Sequence, residues 1–409
     1  MKFDVVVIGG GPAGMMAAGV AGSKGKKVLL IEKNDKLGKK LFITGKGRCN
    51  LSNSADKEEF ITHITRNSKF LFSAFNNFFN DDLVDFFNKL GLKTKVERAG
   101  RIFPLSDKSS DVIKALEKHL RNNNVAVRLG TKIKSIIAEK DEIKGLELED
   151  GFIYCSSVII ATGGLSYPLT GSTGDGYEFA KKLGHQITEL RPSLVPLVVK
   201  EEFIKDIQGL SLRNVSVKAI CDNKVLFEDI GEMLFTHYGL SGPLILSASF
   251  YISEKIYKNK QTYIMIDLKP GLTHEELDRR LLKDFELYKN KYYKNSLDDL
   301  LPKKLIPVII KLSGIPEDRQ VNQITREERR FIVNLLKGLS FEIIGTRPIS
   351  EAIVTSGGVN IKEVNPKTME SKIVKGLYFA GEILDIDAFT GGYNLQIAFS
   401  TGYTAGLNC

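Results

Sequence analysis

The stretch from Phe3 to Glu32, FDVVVIGGGPAGMMAAGVAGSKGKKVLLIE, constrains the fold more than any other in the chain. Phe3 to Ile8 is a nearly unbroken apolar run, the pattern of a parallel strand buried on both faces. Gly9, Gly11 and Gly14 follow at the G-x-G-x-x-G spacing, with Pro12 and Ala13 between the last two, and small residues continue as a helix to about Ser23. Val28 to Ile31 makes a second buried strand, ended by Glu32 and Lys33. In such a unit the first glycine permits a tight turn and the second lets the backbone approach a pyrophosphate. The third lets helix and strand pack closely. Open N–H groups at the helix start hold phosphates, and an acid at the position of Glu32 accepts hydrogen bonds from a ribose diol. A bare glycine motif is weak. Strand, glycines, helix, strand and acid in this order specify a dinucleotide-binding βαβ unit.

Beyond that unit the chain turns basic. Between Lys24 and Arg48 lie nine Lys or Arg residues against Glu32 and Asp35. Within this run, Thr44-Gly45-Lys46-Gly47-Arg48-Cys49-Asn50 is rich in glycine and chemically mixed, so it can bring backbone N–H groups and Arg48 against a cofactor or an anionic substrate. Cys49 reads as a small packing residue, with no histidine near it in sequence. Residues 57 to 90 are helical with many phenylalanines, a core pattern. Arg101, beside Gly100 in a turn, either reaches an active site or covers a sheet edge. The spacing predicts a helix over 111–122 and a third parallel strand over 125–129, which completes half of a doubly wound sheet. Strands over 131–138, 142–149 and 151–155 form an antiparallel meander, and a buried strand over 157–161 ends in Ala161-Thr162-Gly163-Gly164.

Pro192 to Pro196 reads as a domain boundary, after which short strands are expected over 197–199, 215–221, 224–229 and 263–267, as an antiparallel sheet or barrel. Among them sits Thr236-His237-Tyr238-Gly239, either a structural turn or a substrate-facing loop with His237 or Tyr238 as proton donor. Capping boxes at Thr273–Glu276 and Thr325–Glu328 bracket a small helical region over about 271–338. The chain then returns to the first domain: Tyr378-Phe379-Ala380-Gly381-Glu382 is a buried strand ending in glycine and acid, and Gly391-Gly392-Tyr393-Asn394-Leu395-Gln396 opens a small-residue helix. Glu382 at a strand end can bond a ribityl hydroxyl, and the helix start can stabilise negative charge on a reduced flavin.

Four segments together carry a family resemblance: TGKGRCNLSN (44–53), ATGG (161–164), LFTHYGLSGP (234–243) and AGEILD…TGGYNLQ (380–396). The chain resembles, over its whole length, the bacterial BaiN-like, aminoacetone-oxidase-like FAD-binding flavoproteins. Thr173-Gly174-Asp175-Gly176 is also similar to a segment of the fumarate reductase flavoproteins. The resemblance implies an α/β fold: a Rossmann-like FAD-binding domain from both chain ends (1–191 and 351–409), an inserted antiparallel β domain (192–270 with 339–350) and a helical subdomain (271–338). It places FAD against Gly9, Gly11, Pro12, Ala13, Gly14, Glu32, Lys33, Gly45, Arg48, Cys49, Asn50, Ile133, Ala161, Thr162, Gly163, Gly381, Glu382, Gly392, Asn394, Leu395 and Gln396. His237, Tyr238 and Arg101 are the candidate catalytic residues. Lys46 departs from the commoner pattern, where another glycine stands. No second complete glycine motif with its own βαβ unit occurs, so the built-in dinucleotide is expected to be FAD, with NAD(P)H as a dissociable electron donor.

Composition narrows the classes. A hydrophobic content of 43% and a charged content of 26% are ordinary for a globular protein. No run approaches the roughly 18 apolar residues of a membrane span, and the first strand begins too early for a signal peptide. Four scattered cysteines without a C-x-x-C pair argue against disulfides or a metal site and suit the cytoplasm. The net charge of +9 favours anionic partners, RNA among them. The family's chemistries lead to three expectations. The first is reduction of an activated C=C bond, with uridine in rRNA favoured. The others are a small-molecule oxidase or dehydrogenase acting on an amine, ketone or steroid-like substrate, and a non-catalytic flavin-bearing RNA-binding factor.

Overall fold

The computed structural model describes residues 2–409, and the chain divides into two compact units, residues 1–192 with 352–409 and residues 193–351. The first is built on a five-stranded parallel sheet. Its strands are β1 (Val5–Ile8), β2 (Val28–Ile31), β3 (Ala126–Arg128), β4 (Ser157–Ile160) and β5 (Leu377–Phe379), in the order β5–β4–β1–β2–β3. β1 is central, with Val5 opposite Ser157 on one side and Val28 on the other. The continuous apolar runs of β1, β2, β4 and β5 are buried at every residue, as a sheet covered on both faces requires. β3 is the edge strand, and its Ala126 and Val127 face solvent.

Among the helices of this unit are α1 (Pro12–Ser23), α2 (Lys39–Ile43), α3 (Ser109–Asn122) and α4 (Tyr393–Asn408). α1 is buried from Ala13 to Ala21 because α4 packs along it. The approach is backbone to backbone: a methyl on Gly402 would lie 2.4 Å from the Ala13 carbonyl oxygen, and one on Gly406 2.3 Å from that of Ala17. The meander forms over Ile133–Glu139, Glu142–Leu148 and Gly151–Tyr154. Most phenylalanines between 57 and 90 are buried, with Phe60, Phe75 and Phe79 packed edge to face or tilted at about 5 Å centroid distances. Phe72 differs. It is half exposed, at the first residue of the helix Phe72–Asn77.

The second unit contains a closed six-stranded antiparallel barrel. Its strands run Leu197–Val199, Gly239–Ser241, Lys224–Phe235, Ser211–Cys221, Thr262–Asp267 and Leu339–Thr346, the last pairing back to the first. The strand expected to end at residue 229 continues to Phe235, since its second half still pairs, Ile230 with Ser216 and Met233 with Leu212. Helix Pro243–Tyr257 was not foreseen; Gly242 at φ 92 and Pro243 at the first helical position start it. Both capping boxes form, on helices His274–Leu287 and Arg326–Lys337. Among the described residues no helix is long and apolar enough to cross a membrane.

Candidate cofactor site

The loop between β1 and α1 shows why each glycine stands where it does. A Cβ on Gly9 would lie 2.5 Å from the Ala161 carbonyl oxygen, at the end of β4, and Gly9 sits at φ +106. A Cβ on Gly14 would lie 1.9 Å from the carbonyl oxygen of Gly9. These two are fixed by packing. Gly11 is different: its Cβ would meet nothing within 4 Å, and its φ of −81 suits any residue. Gly11 caps α1, with Pro12 next, and no side chain caps that first turn. An open loop face before an uncapped helix start is a diphosphate cradle. Glu32 is oriented beside it, since one carboxylate oxygen accepts from Gly10 N (2.7 Å) and the other from the backbone and side-chain nitrogens of Asn34 (2.8 Å each). Lys33 turns away to Thr173 and Asp175. Burial opposes ionisation of Asp175, yet these partners outweigh it and hold the carboxyl below its usual range.

The loop 44–50 is strained, with Gly45 at φ 58, Lys46 at φ 59 and Cys49 at φ 62. Cys49 is fully buried and its thiol is pushed up to about 12 by that burial, so it packs and does not attack. Arg48 bonds Glu97 and, through two nitrogens, one oxygen of Asp107, with its guanidinium 4.2 Å from the Phe103 ring centre. Lys95 joins the same two acids. The structure thus ties Arg48 into a four-charge network. Arg101 donates to the Arg98 carbonyl from a strand paired with Ser52–Asn53. Ile133 begins the meander, paired with Leu148.

The C-terminal segments come back to the same place. Gly381, at φ +80, would put a Cβ 2.9 Å from that of Ala13, and its N–H donates to Thr401. Gly392 caps α4 at φ 101, where a Cβ would lie 2.1 Å from the Ser52 carbonyl oxygen. Asn394 closes its own loop, accepting from Ala388 N and donating to the carbonyls of Ala388 and Phe389. Gln396 is fully buried between Ser52 and Ser400, and Leu395 is half-buried. Glu382 receives Lys40 on one oxygen and Thr355 N and Ser166 on the other. Lys40, Ser166 and Thr355 were not singled out by sequence, where Lys40 is one cation among nine and no spacing marks it.

Two buried polar atoms in these segments have no hydrogen-bond partner: Oδ1 of Asn50 and Oγ1 of Thr162. Such atoms cost free energy unless a ligand or water satisfies them. With the open face of Gly11 and the oriented carboxylate of Glu32, they fit FAD along the line from β1 to α4. In the second unit, His237 is exposed in the turn Thr236–Gly239, which Thr236 closes through Gly239. The His237 ring stands edge to face with Tyr238 at 4.8 Å, and the Tyr238 ring carries the Arg347 guanidinium at 4.5 Å. Arg347 in turn grips Glu351 with two nitrogens.

The chain matches the model of the family described as HI0933-like protein Rossmann domain over residues 3–408. It is 33% identical to a 3-dehydro-bile acid delta(4,6)-reductase from Clostridium scindens, covering 98% of this chain and 97% of that protein. It is 31% identical to a ribosomal RNA dihydrouridine synthase from Escherichia coli, covering 98% and 96%. Among solved structures, a 3-ketosteroid delta1-dehydrogenase from Sterolibacterium denitrificans shares the fold at a TM-score of 0.54 and 13% identity, over 99% of this chain and 98% of that one. The glycine loop, the sheet order and the full-length match agree: the chain belongs to the HI0933-like Rossmann family and is an FAD-dependent flavoprotein oxidoreductase.

Proposed function

We propose that the protein reduces an activated C=C bond, with uridine in ribosomal RNA as substrate and dihydrouridine as product. The observation that carries the reading is the full-length relationship to two ribosomal RNA dihydrouridine synthases, at 31% and 30% identity. The net charge of +9 supports a polyanionic substrate. The bile-acid reductase relative favours a second reading, a small unsaturated ketone, with the same bond chemistry.

FAD, when bound, supplies a hydride that NAD(P)H replenishes. The chain's own residues do the rest. The Gly9–Gly14 loop and the start of α1 hold the diphosphate, and Glu32 orients the ribose. Asn50, Thr162 and Glu382 bond the remaining polar groups of the cofactor, while the start of α4 at Gly392 favours negative charge. His237 and Tyr238, in the turn Thr236–Gly239 of the second unit, stay the candidate donors of the proton that the second carbon needs. The test is the dihydrouridine content of rRNA from a strain lacking the gene, with the purified protein and NADPH added back to that rRNA. Loss in the strain and return on addition are expected. Unchanged dihydrouridine overturns the rRNA reading and leaves the small-ketone assay to be run.

A further inference from the structure

Glu382 follows β5 at the point where Gly381 touches α1, and Lys40 stands at the second residue of α2. The Lys40 ammonium lies 2.6 Å from one Glu382 oxygen and 2.6 Å from the Ser166 hydroxyl. The other Glu382 oxygen accepts Thr355 N at 2.9 Å and the Ser166 hydroxyl at 3.1 Å. Ser166 is fully buried, and the two charged side chains are each only about one-fifth exposed. Residues from three separate segments therefore meet on one carboxylate. An ion pair this sheltered is shielded less by water than the surface pairs of the chain, and removing one partner leaves the other poorly compensated.

The donor and acceptor counts carry the argument further. A carboxylate has about four acceptor positions, and Glu382 uses three; an ammonium has three N–H groups, and Lys40 has two acceptors here. One acceptor position on Glu382 thus remains, in a group whose rotamer is set by Lys40, Ser166 and Thr355. A sugar-alcohol hydroxyl is a donor that one remaining lone pair can take. Fixing the receiving group in advance removes the ordering cost from binding.

We infer that Lys40 is a cofactor-positioning residue: with Ser166 and Thr355 it holds the Glu382 carboxylate turned so that its remaining lone pair receives a hydroxyl of the FAD ribityl chain. This rests on the FAD reading of the same unit. Lys40 acts through Glu382, so its contribution vanishes when Glu382 cannot play its part.

The experiment measures binding of FAD and of ADP to apoprotein, by flavin fluorescence quenching and calorimetry, for wild type, K40M, K40R, E382Q and K40M/E382Q. ADP shares the diphosphate and adenosine of FAD but lacks the ribityl chain, so it reports whether the βαβ half is intact. K40M is expected to weaken FAD about 10- to 100-fold, the worth of a hydrogen bond to a charged group, and to leave ADP within about twofold. K40R recovers most of the loss, and the double variant binds FAD no worse than E382Q alone. An unchanged FAD affinity in K40M overturns the inference. So does an equal loss for FAD and ADP, which marks a general loosening of the fold, or additive losses in the double variant. A wild-type apoprotein that takes up ADP but no FAD overturns the flavin reading itself and this inference with it.

Discussion

Gly11 separates folding from binding at a single position. At its neighbours Gly9 and Gly14 an added Cβ would lie 2.5 Å and 1.9 Å from carbonyl oxygens, so any side chain there forces the strand and helix apart. At Gly11 there is space and an ordinary φ. Gly11→Val is therefore expected to fold with a melting temperature of the apoprotein within about 2 °C of wild type, yet to purify without yellow colour, because the added methyls stand where the diphosphate comes. Absorbance at the flavin band and a thermal melt of the same sample check this. A G11V protein that holds stoichiometric FAD contradicts the cradle. The motif itself was plain from sequence, and so was the close packing that Gly9 and Gly14 permit. The bonding of Arg48 to Asp107 and of Gln396 to Ser52 was not, because these partners are brought together by tertiary packing and leave no spacing in the sequence.

At the scale of elements, α3 meets α1 through His119. The residue is 8% exposed, its ring stands edge-on to Phe86 at 4.9 Å, and its atoms fill the space that a side chain at Gly19 would occupy. Asn123 donates to its Nδ1 at 3.2 Å, which leaves the proton of the neutral ring on Nε2. Burial lowers its pKa from 6.5 to about 4. The folded state thus prefers the neutral ring: the full stability is present above the unfolded value of 6.5 and is lost as pH falls from there toward about 4. Between pH 7 and pH 5 this group alone removes about 2 kcal/mol, and His119→Leu should flatten that part of the profile. Urea melts of both proteins at the two pH values read the difference. Element boundaries were legible where periodicity and burial coincide. The second strand was expected over 28–31 and forms at Val28–Ile31, and both capping boxes form at Thr273 and Thr325. The barrel strand reaching Phe235 was read short, since Gly231 and Glu232 break the alternation, while the pairing of Met233 with Leu212 that extends it is a long-range contact.

Over the whole molecule, charge distinguishes the two substrate readings. If rRNA is the substrate, its apparent KM rises steeply with salt, on the order of 100-fold between 50 and 200 mM for four phosphate contacts. A small ketone would show almost no such dependence. Steady-state assays across that range decide between them, and a flat profile with rRNA contradicts phosphate-driven recognition. The architecture also sets an order of events during synthesis. β1 and β2 leave the ribosome first, but their sheet lacks β5 and α1 lacks α4 until residues 377–408 exist. At about 5–20 residues per second, that interval lasts roughly 20 to 70 s. Throughout it the apolar face of α1 has no roof, while the barrel of residues 193–351 emerges as one uninterrupted piece. A nascent chain therefore carries a half-made nucleotide pocket after the barrel residues have emerged, and chaperone contact, like flavin capture, is timed by the synthesis of residues 377–408.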